Sequence, residues 1–273
     1  MSHRIDAIDS KTSILQALYT FPYLTADRVT KLLFSPGSLQ GVRQHLKELS
    51  DARLVHREYL FSQVRSKEYV YWLATSGRRK LRNLNSSYDF SSWKEPMQMG
   101  RFLSSPHFPH HMTTTDLLIA FLLTPHITIQ EATHYFHIRL STLAPVLPDG
   151  FVKMLLPDGK QTTLLLEVDL NTESDERIKE KIVTYLPYIA RGGFANDYGI
   201  TEVPLIVLYT PEEKRRDKLL SILEKALLDS NASSKASWFL VGSGNMSPDC
   251  FFENRWITPA GLTDRNITSL LPI

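Results

Sequence analysis

Three acidic residues in the second half of the chain have the spacing from which phosphate chemistry can be built. Asp149 stands in the turn Pro148-Asp149-Gly150, directly before the apolar run Phe151-Val152-Lys153-Met154-Leu155-Leu156. Glu167 and Asp169 close a second run, Thr162-Thr163-Leu164-Leu165-Leu166-Glu167-Val168-Asp169. Two apart on a strand, they point to one face. In this order Asp149 and Glu167 converge at the mouth of a sheet. Two carboxylates with the main-chain carbonyl of Val168 make the hard oxygen set that suits Mg²⁺. Such a cation activates water and stabilises the charge that develops on a scissile phosphate.

The elements that must position these groups read as a small α/β domain. Leu117, Leu118 and Phe121 mark a helix from His110 to Leu123, which Pro125 ends. A strand from Ile127 to Leu140 follows, then the two acidic-tipped strands, joined by the turn Pro157-Asp158-Gly159-Lys160. The uninterrupted Leu164–Leu166 predicts a central strand buried on both faces. Ile178, Ile182, Tyr185, Leu186 and Ile189 form the apolar stripe of a helix from about Ser174 to Arg191, with Pro187 inside it. A strand at Val203–Tyr209, a helix at Pro211–Leu228 and a strand at Trp238–Val241 complete the order αβββαβ, then αβ.

The first half has a different plan. Ile14, Leu15 and Leu18 define a first helix, Thr25 caps a second that runs through Phe34, and Ser38 caps a third that runs to about Asp51. On the third, Leu39, Val42, Leu46 and Leu49 make one apolar stripe. Gln40, Arg43, Gln44 and Lys47 make the solvent face beside it. Arginine and glutamine read base edges in a major groove, and lysine neutralises phosphate. Two strands, Leu54–Leu60 and Glu68–Leu73, flank a basic tip that holds Arg65 and Lys67, and a basic helix opens at Thr75. Three helices and a hairpin are the order of a winged helix-turn-helix, with its third helix in the groove of double-stranded DNA. The expected organisation is a winged-helix domain at 10–85, a linker at 86–107 anchored by Tyr88, Phe90, Trp93 and Phe102, an α/β domain at 108–245, and a C-terminal extension at 246–273.

Charge follows that division. Residues 1–110 hold 16 Lys and Arg against 9 Asp and Glu, a net +7, while residues 111–273 hold 15 against 20, a net −5. A basic module beside an acidic one points the first toward a polyanion. Hydrophobic residues at 42%, with only 12 glycines and 15 prolines, exclude a disordered or collagen-like chain. The single cysteine, Cys250, excludes an internal disulfide and a cysteine-rich zinc module, and suggests a reducing compartment. No apolar run reaches membrane-spanning length, and no apolar stretch follows Arg4, so the chain reads as cytoplasmic, with no membrane partner. His107, His110 and His111 read as a capping or surface cluster. His134 and His137, three apart on a strand, face opposite sides and do not ligate jointly. Lys214-Arg215-Arg216 reads as a solvated helix face. Nucleotide-binding loops are lacking, and Tyr185 reads as packing rather than as a nucleophile.

The second half resembles the restriction-endonuclease-like, PD-(D/E)XK, fold, on Pro148-Asp149 and on Glu167-Val168-Asp169. The whole chain, from Ser10 to about Asp229, resembles the replication-relaxation family of plasmid and mobile-element proteins. That resemblance adds the His110-His111 helix start and the run Leu166–Ser174 to the features above. It implies a nuclease-like domain with Asp149, Glu167 and Asp169 at the motif positions, either without activity or acting as a Mg²⁺-dependent DNA nickase or endonuclease. Asp116 would match the extra acid that some such nucleases carry on the preceding helix, beside Asp149, Glu167 and Val168 as a metal ligand. It also implies action in replication, relaxation or mobilisation, with replication or mobilisation proteins as partners. One departure stands out: the third motif position calls for lysine, and this chain has Asp169. Lys179 and Lys181 lie on the next helix, from which some members of this fold supply the lysine. Without it, the carboxylates serve structure or binding. The reading of another class is a non-enzymatic winged-helix regulator that binds a palindrome as a homodimer.

Overall fold

The computed structural model describes residues 9–60, 68–91, 93, 96–125, 127–138, 146–248, 256–259 and 266–268. It is a mixed α and β chain with two sheets, and it divides into two compact units, 1–112 and 113–273.

In the first unit, α1 (Ser10–Thr20), the two-residue strand β1 (Leu24–Thr25), α2 (Ala26–Leu33) and α3 (Leu39–Asp51) precede the hairpin β2 (Val55–Leu60) and β3 (Glu68–Leu73). After it come α4 (Thr75–Leu84) and α5 (Pro96–Phe102). Ile14, Leu15 and Leu18 of α1, Val29 of α2, and Val42, Leu46 and Leu49 of α3 are buried together with Val70 and Leu73. The helical apolar spacing therefore becomes one core, the main favourable term in folding. Thr25 caps α2 by accepting the Arg28 N–H. Ser38 does not act as expected: its side chain makes no capping bond, and only its carbonyl takes the Val42 N–H. The sheet has the antiparallel order β1-β3-β2. The hairpin tip, with Arg65 and Lys67, lies outside the described residues.

Residues 86–107, expected to be a linker, belong to the first unit. Tyr19 packs edge-on against Tyr88 and Phe90 and parallel to Trp93, and the Tyr23 hydroxyl donates to the Met99 carbonyl at 3.0 Å. The aromatic anchors do more than tether the segment, since Phe90, Trp93 and Met99 are buried.

Helix α6 (His107–Leu122) leads into the second unit, where β4 (Thr128–His134), β5 (Gly150–Leu155) and β6 (Gln161–Val168) form an antiparallel meander. Then α7 (Asp175–Ala190) and the short α8 (Gly193–Tyr198) cross to β7 (Leu205–Thr210), parallel to β6. Helix α9 (Glu213–Asp229) and a 3₁₀ turn at Ser233–Trp238 cross to β8 (Phe239–Ser243), parallel to β7. Beyond residue 245 the sheet continues through β9 (Trp256–Thr258) and β10 (Asn266–Thr268), in the order β10-β9-β8-β7-β6-β5-β4. Leu164–Leu166 are fully buried, as a central strand demands. Leu165 joins Ile178, Ile182, Tyr185, Leu220 and Leu223 in the core beneath α7 and α9. Near the start of β5, Leu118 of α6 lies against Gly150 beside Leu166. Among the described residues no helix is long and apolar enough to cross a membrane.

Candidate active site

The register of β5 against β6 brings the first two predicted acids to one end of the sheet. Gly150 pairs with Leu166, and the Asp149 N–H donates to the Leu166 carbonyl at 2.9 Å. The Asp149 side chain then turns onto the partner strand, where Oδ2 accepts the Val168 N–H at 2.8 Å. Val168 thus enters through its amide, holding Asp149 one residue from Glu167.

Glu167 is 2% exposed. A carboxylate buried to that degree must be paired or neutralised. The partners come from α7, whose residues 181 and 185, four apart, share one face. Lys181 Nζ lies 2.9 Å from Glu167 Oε2, and the Tyr185 hydroxyl donates to Oε1. Lys181 is also 3.5 Å from the Glu173 carboxylate. Burial pushes the Glu167 carboxyl up to about 7. The Lys181 ammonium opposes that rise, and the Asp149 charge adds to it. Burial alone would lower the Lys181 ammonium, but Glu167, Asp149 and Glu173 outweigh it and hold it above its ordinary range. Burial and then the Glu167 charge hold the Tyr185 phenol well above its own. At neutral pH the cluster therefore contains an ammonium, a phenol and a carboxyl close to its midpoint.

Of the two candidate lysines, the structure brings only Lys181 to the carboxylates. Lys179 is paired with Asp229 at 2.6 Å. Asp169 is 6% exposed and bound by Arg215 Nε, while its Oδ1 accepts the Asn171 N–H at 2.9 Å. Arg215, read from the sequence as part of a solvated run, is itself 4% exposed. It donates to the Glu173 carbonyl at 3.0 Å, so it pins the loop between β6 and α7. Asp116 is half-buried on α6, two residues before Leu118. Sequence reasoning missed Tyr185, Glu173 and Arg215 as parts of this network. The four-residue spacing of Lys181 and Tyr185 was the one signal available for the first.

The pair matches a hard cation in donor type and number, while both Glu167 oxygens and Asp149 Oδ2 already accept hydrogen bonds within the protein. Mg²⁺ needs one or two carboxylates and otherwise keeps its waters, and Asp149 and Glu167 supply that number. Among the described residues, no group of three or more His, Cys, Asp or Glu is placed to hold a metal. The histidines lie elsewhere. His111 is fully buried among Tyr23, Phe102 and Phe108. His134 ends β4, with His137 in the turn after it rather than on the same strand, because the His137 N–H donates to the His134 carbonyl.

On α3, Gln40, Arg43, Gln44 and Lys47 are all exposed. Gln44 donates to Glu48 at 2.7 Å and Lys47 pairs with Asp51 at 2.8 Å. Exposed pairs of this kind contribute only ~0–1 kcal/mol and yield readily to a stronger anion.

A family model described as replication-relaxation matches residues 15–203, more than two thirds of the chain, including Asp149, Glu167, Lys181 and Tyr185. Comparisons with curated proteins and with solved structures give no match.

Proposed function

The chain belongs to the replication-relaxation family, and from that premise we propose that it is a double-stranded DNA-binding protein of plasmid or mobile-element replication, with a Mg²⁺-dependent nicking centre at Asp149, Glu167 and Lys181. The first unit is read as a winged helix that presents Gln40, Arg43, Gln44 and Lys47 to the major groove. Its order of helices and hairpin and its basic charge support this. The second unit is read as a PD-(D/E)XK domain. Supporting that are the αβββαβ order, the antiparallel meander followed by a parallel crossover, and the acids at the start of β5 and the end of β6.

The observation that carries the nicking centre is the 2.9 Å contact between Lys181 Nζ and Glu167 Oε2. It places an ammonium beside the carboxylate pair although the usual strand position holds Asp169. Asp149 and Glu167 would hold the cation, which would supply Lewis acidity toward the scissile phosphate. Lys181 positions the attacking water and stabilises the charge that grows on the scissile phosphate. Tyr185 fixes Glu167 by holding its second oxygen.

The occupation of both Glu167 oxygens favours a second reading, in which the cluster only fastens α7 to β6 and the protein binds DNA without cutting it. Supercoiled plasmid carrying the natural site, incubated with Mg²⁺ or Mn²⁺, separates the two. The nicking reading expects metal-dependent open circles that vanish with Asp149→Ala and with Glu167→Ala. Binding without nicking under both metals supports the second.

A further inference from the structure

We propose that the outward face of α4 is a second contact with nucleic acid, through the phosphate backbone of a duplex held by the first unit. The inference rests on the DNA-binding reading and extends it to a helix outside the three-helix and hairpin pattern. Ser76, Arg79, Lys80 and Asn83 recur at i, i+3, i+4 and i+7, so they share one side of α4, and all four are exposed. The opposite side is anchored through buried Gly77 and Leu81.

The anchoring is close. A Cβ at Gly77 would lie 2.1 Å from the Leu54 carbonyl oxygen, so only glycine lets the helix settle onto the turn between α3 and β2. The Ala74 N–H donates to that carbonyl at 3.0 Å, and the Ser76 hydroxyl donates to the Arg53 carbonyl. The face is therefore carried on a fixed platform, which lowers the ordering cost of an incoming ligand.

Charge identifies the ligand. From Tyr69 to Tyr88 the chain has four cations and no acid. Two of the four have internal roles: Arg78 donates to Thr75, and the Arg82 guanidinium lies 5.4 Å over the Phe90 ring. Arg79 and Lys80 have no ion pair among the described residues. Elsewhere in the unit, Lys11, Lys31 and Lys47 pair with Glu48, Asp27 and Asp51. Two adjacent unneutralised cations, beside an asparagine amide, match the donors that contact phosphate. A contact made to the phosphate backbone is independent of sequence.

Counterion release gives the test. Anisotropy titrations of a short fluorescein-labelled duplex of random sequence, with the full chain, are repeated between about 50 and 200 mM salt. Removing two phosphate contacts by Arg79→Ala with Lys80→Ala should flatten the slope of log K against log salt by roughly 2. It should weaken random and natural-site duplexes by the same factor, with thermal melting unchanged. An unchanged slope in a variant that melts like the wild type overturns the inference and leaves DNA binding standing. A change in self-association with unchanged slope also overturns it, by assigning the face to a second copy of the chain. A wild-type chain that binds neither duplex overturns the DNA-binding reading itself, and the inference with it.

Discussion

At the scale of single residues, the centre of the second unit is a buried carboxylate whose counter-charge arrives from a helix rather than from its own strand. Glu167 ordinarily titrates at 4.5, and burial lifts it to about 7 in the folded chain. The sign of the linkage follows. Below pH 4.5 both states hold the proton. Between 4.5 and 7 the unfolded chain releases it first, so stability falls as pH rises. Glu167→Gln cannot ionise and lacks this fall, so its stability relative to wild type should rise across that window. The gain should be on the order of 3 kcal/mol, with no further change above it. Urea unfolding at a series of pH values measures this, and parallel profiles would contradict the burial of an ionisable group there. Asp169 is paired inside the protein with Arg215. Asp169→Ala leaves the buried guanidinium with only the longer 3.6 Å pair to Asp175 as counter-charge and should cost about 3 kcal/mol. Asp169→Lys, which writes the usual motif lysine into the strand, should cost more, since it sets two cations together. Denaturant midpoints decide this, and a stable lysine variant would refute the pairing. The sequence marked Asp149, Glu167 and Asp169 because strand alternation is a local rule. It could not choose between Lys179 and Lys181, since their reach depends on the loop that Arg215 ties down from 42 residues away.

At the scale of elements, long periodic segments were legible and short ones were not. The apolar spacing of α1, α3 and α7 and the runs of β5 and β6 each cover several periods and appear as expected. The strands β1, β9 and β10 have two or three residues, and α5 and α8 seven and six, too few for a period to emerge. Their places depend on partners instead, as β1 depends on β3 and β9 on β8. The serines and prolines of 86–107 signal a loop, while the aromatics that pack it into the first unit have no periodicity. Two glycines test the packing of elements with opposite signs. Gly77→Ala must push α4 off the Leu54 carbonyl and should destabilise by about 1–3 kcal/mol. Gly41→Ala meets nothing within 4 Å on the exposed side of α3 and should stabilise by roughly 0.5–1 kcal/mol through helix propensity. Thermal melts that move the same way for both would contradict the docking of α4.

At the scale of the whole molecule, a basic unit is joined to an acidic one, and the proposed function gives the first the holding of DNA and the second its processing. The +7 of residues 1–110 would attract a polyanion such as duplex DNA. The −5 of the remainder opposes it, which a bound cation at Asp149 and Glu167 would relieve. Family membership covers both units across residues 15–203 and leaves out β7, Arg215 and the three described strands that follow it. In the proposed nicking centre Lys181 stands in for the missing strand lysine. The most direct test is the single-turnover rate of metal-dependent plasmid nicking for Lys181→Ala beside Lys179→Ala. The account predicts a loss of about 100-fold or more for Lys181→Ala and a wild-type rate for Lys179→Ala. Equal rates in the two variants, or a loss confined to Lys179→Ala, would contradict it.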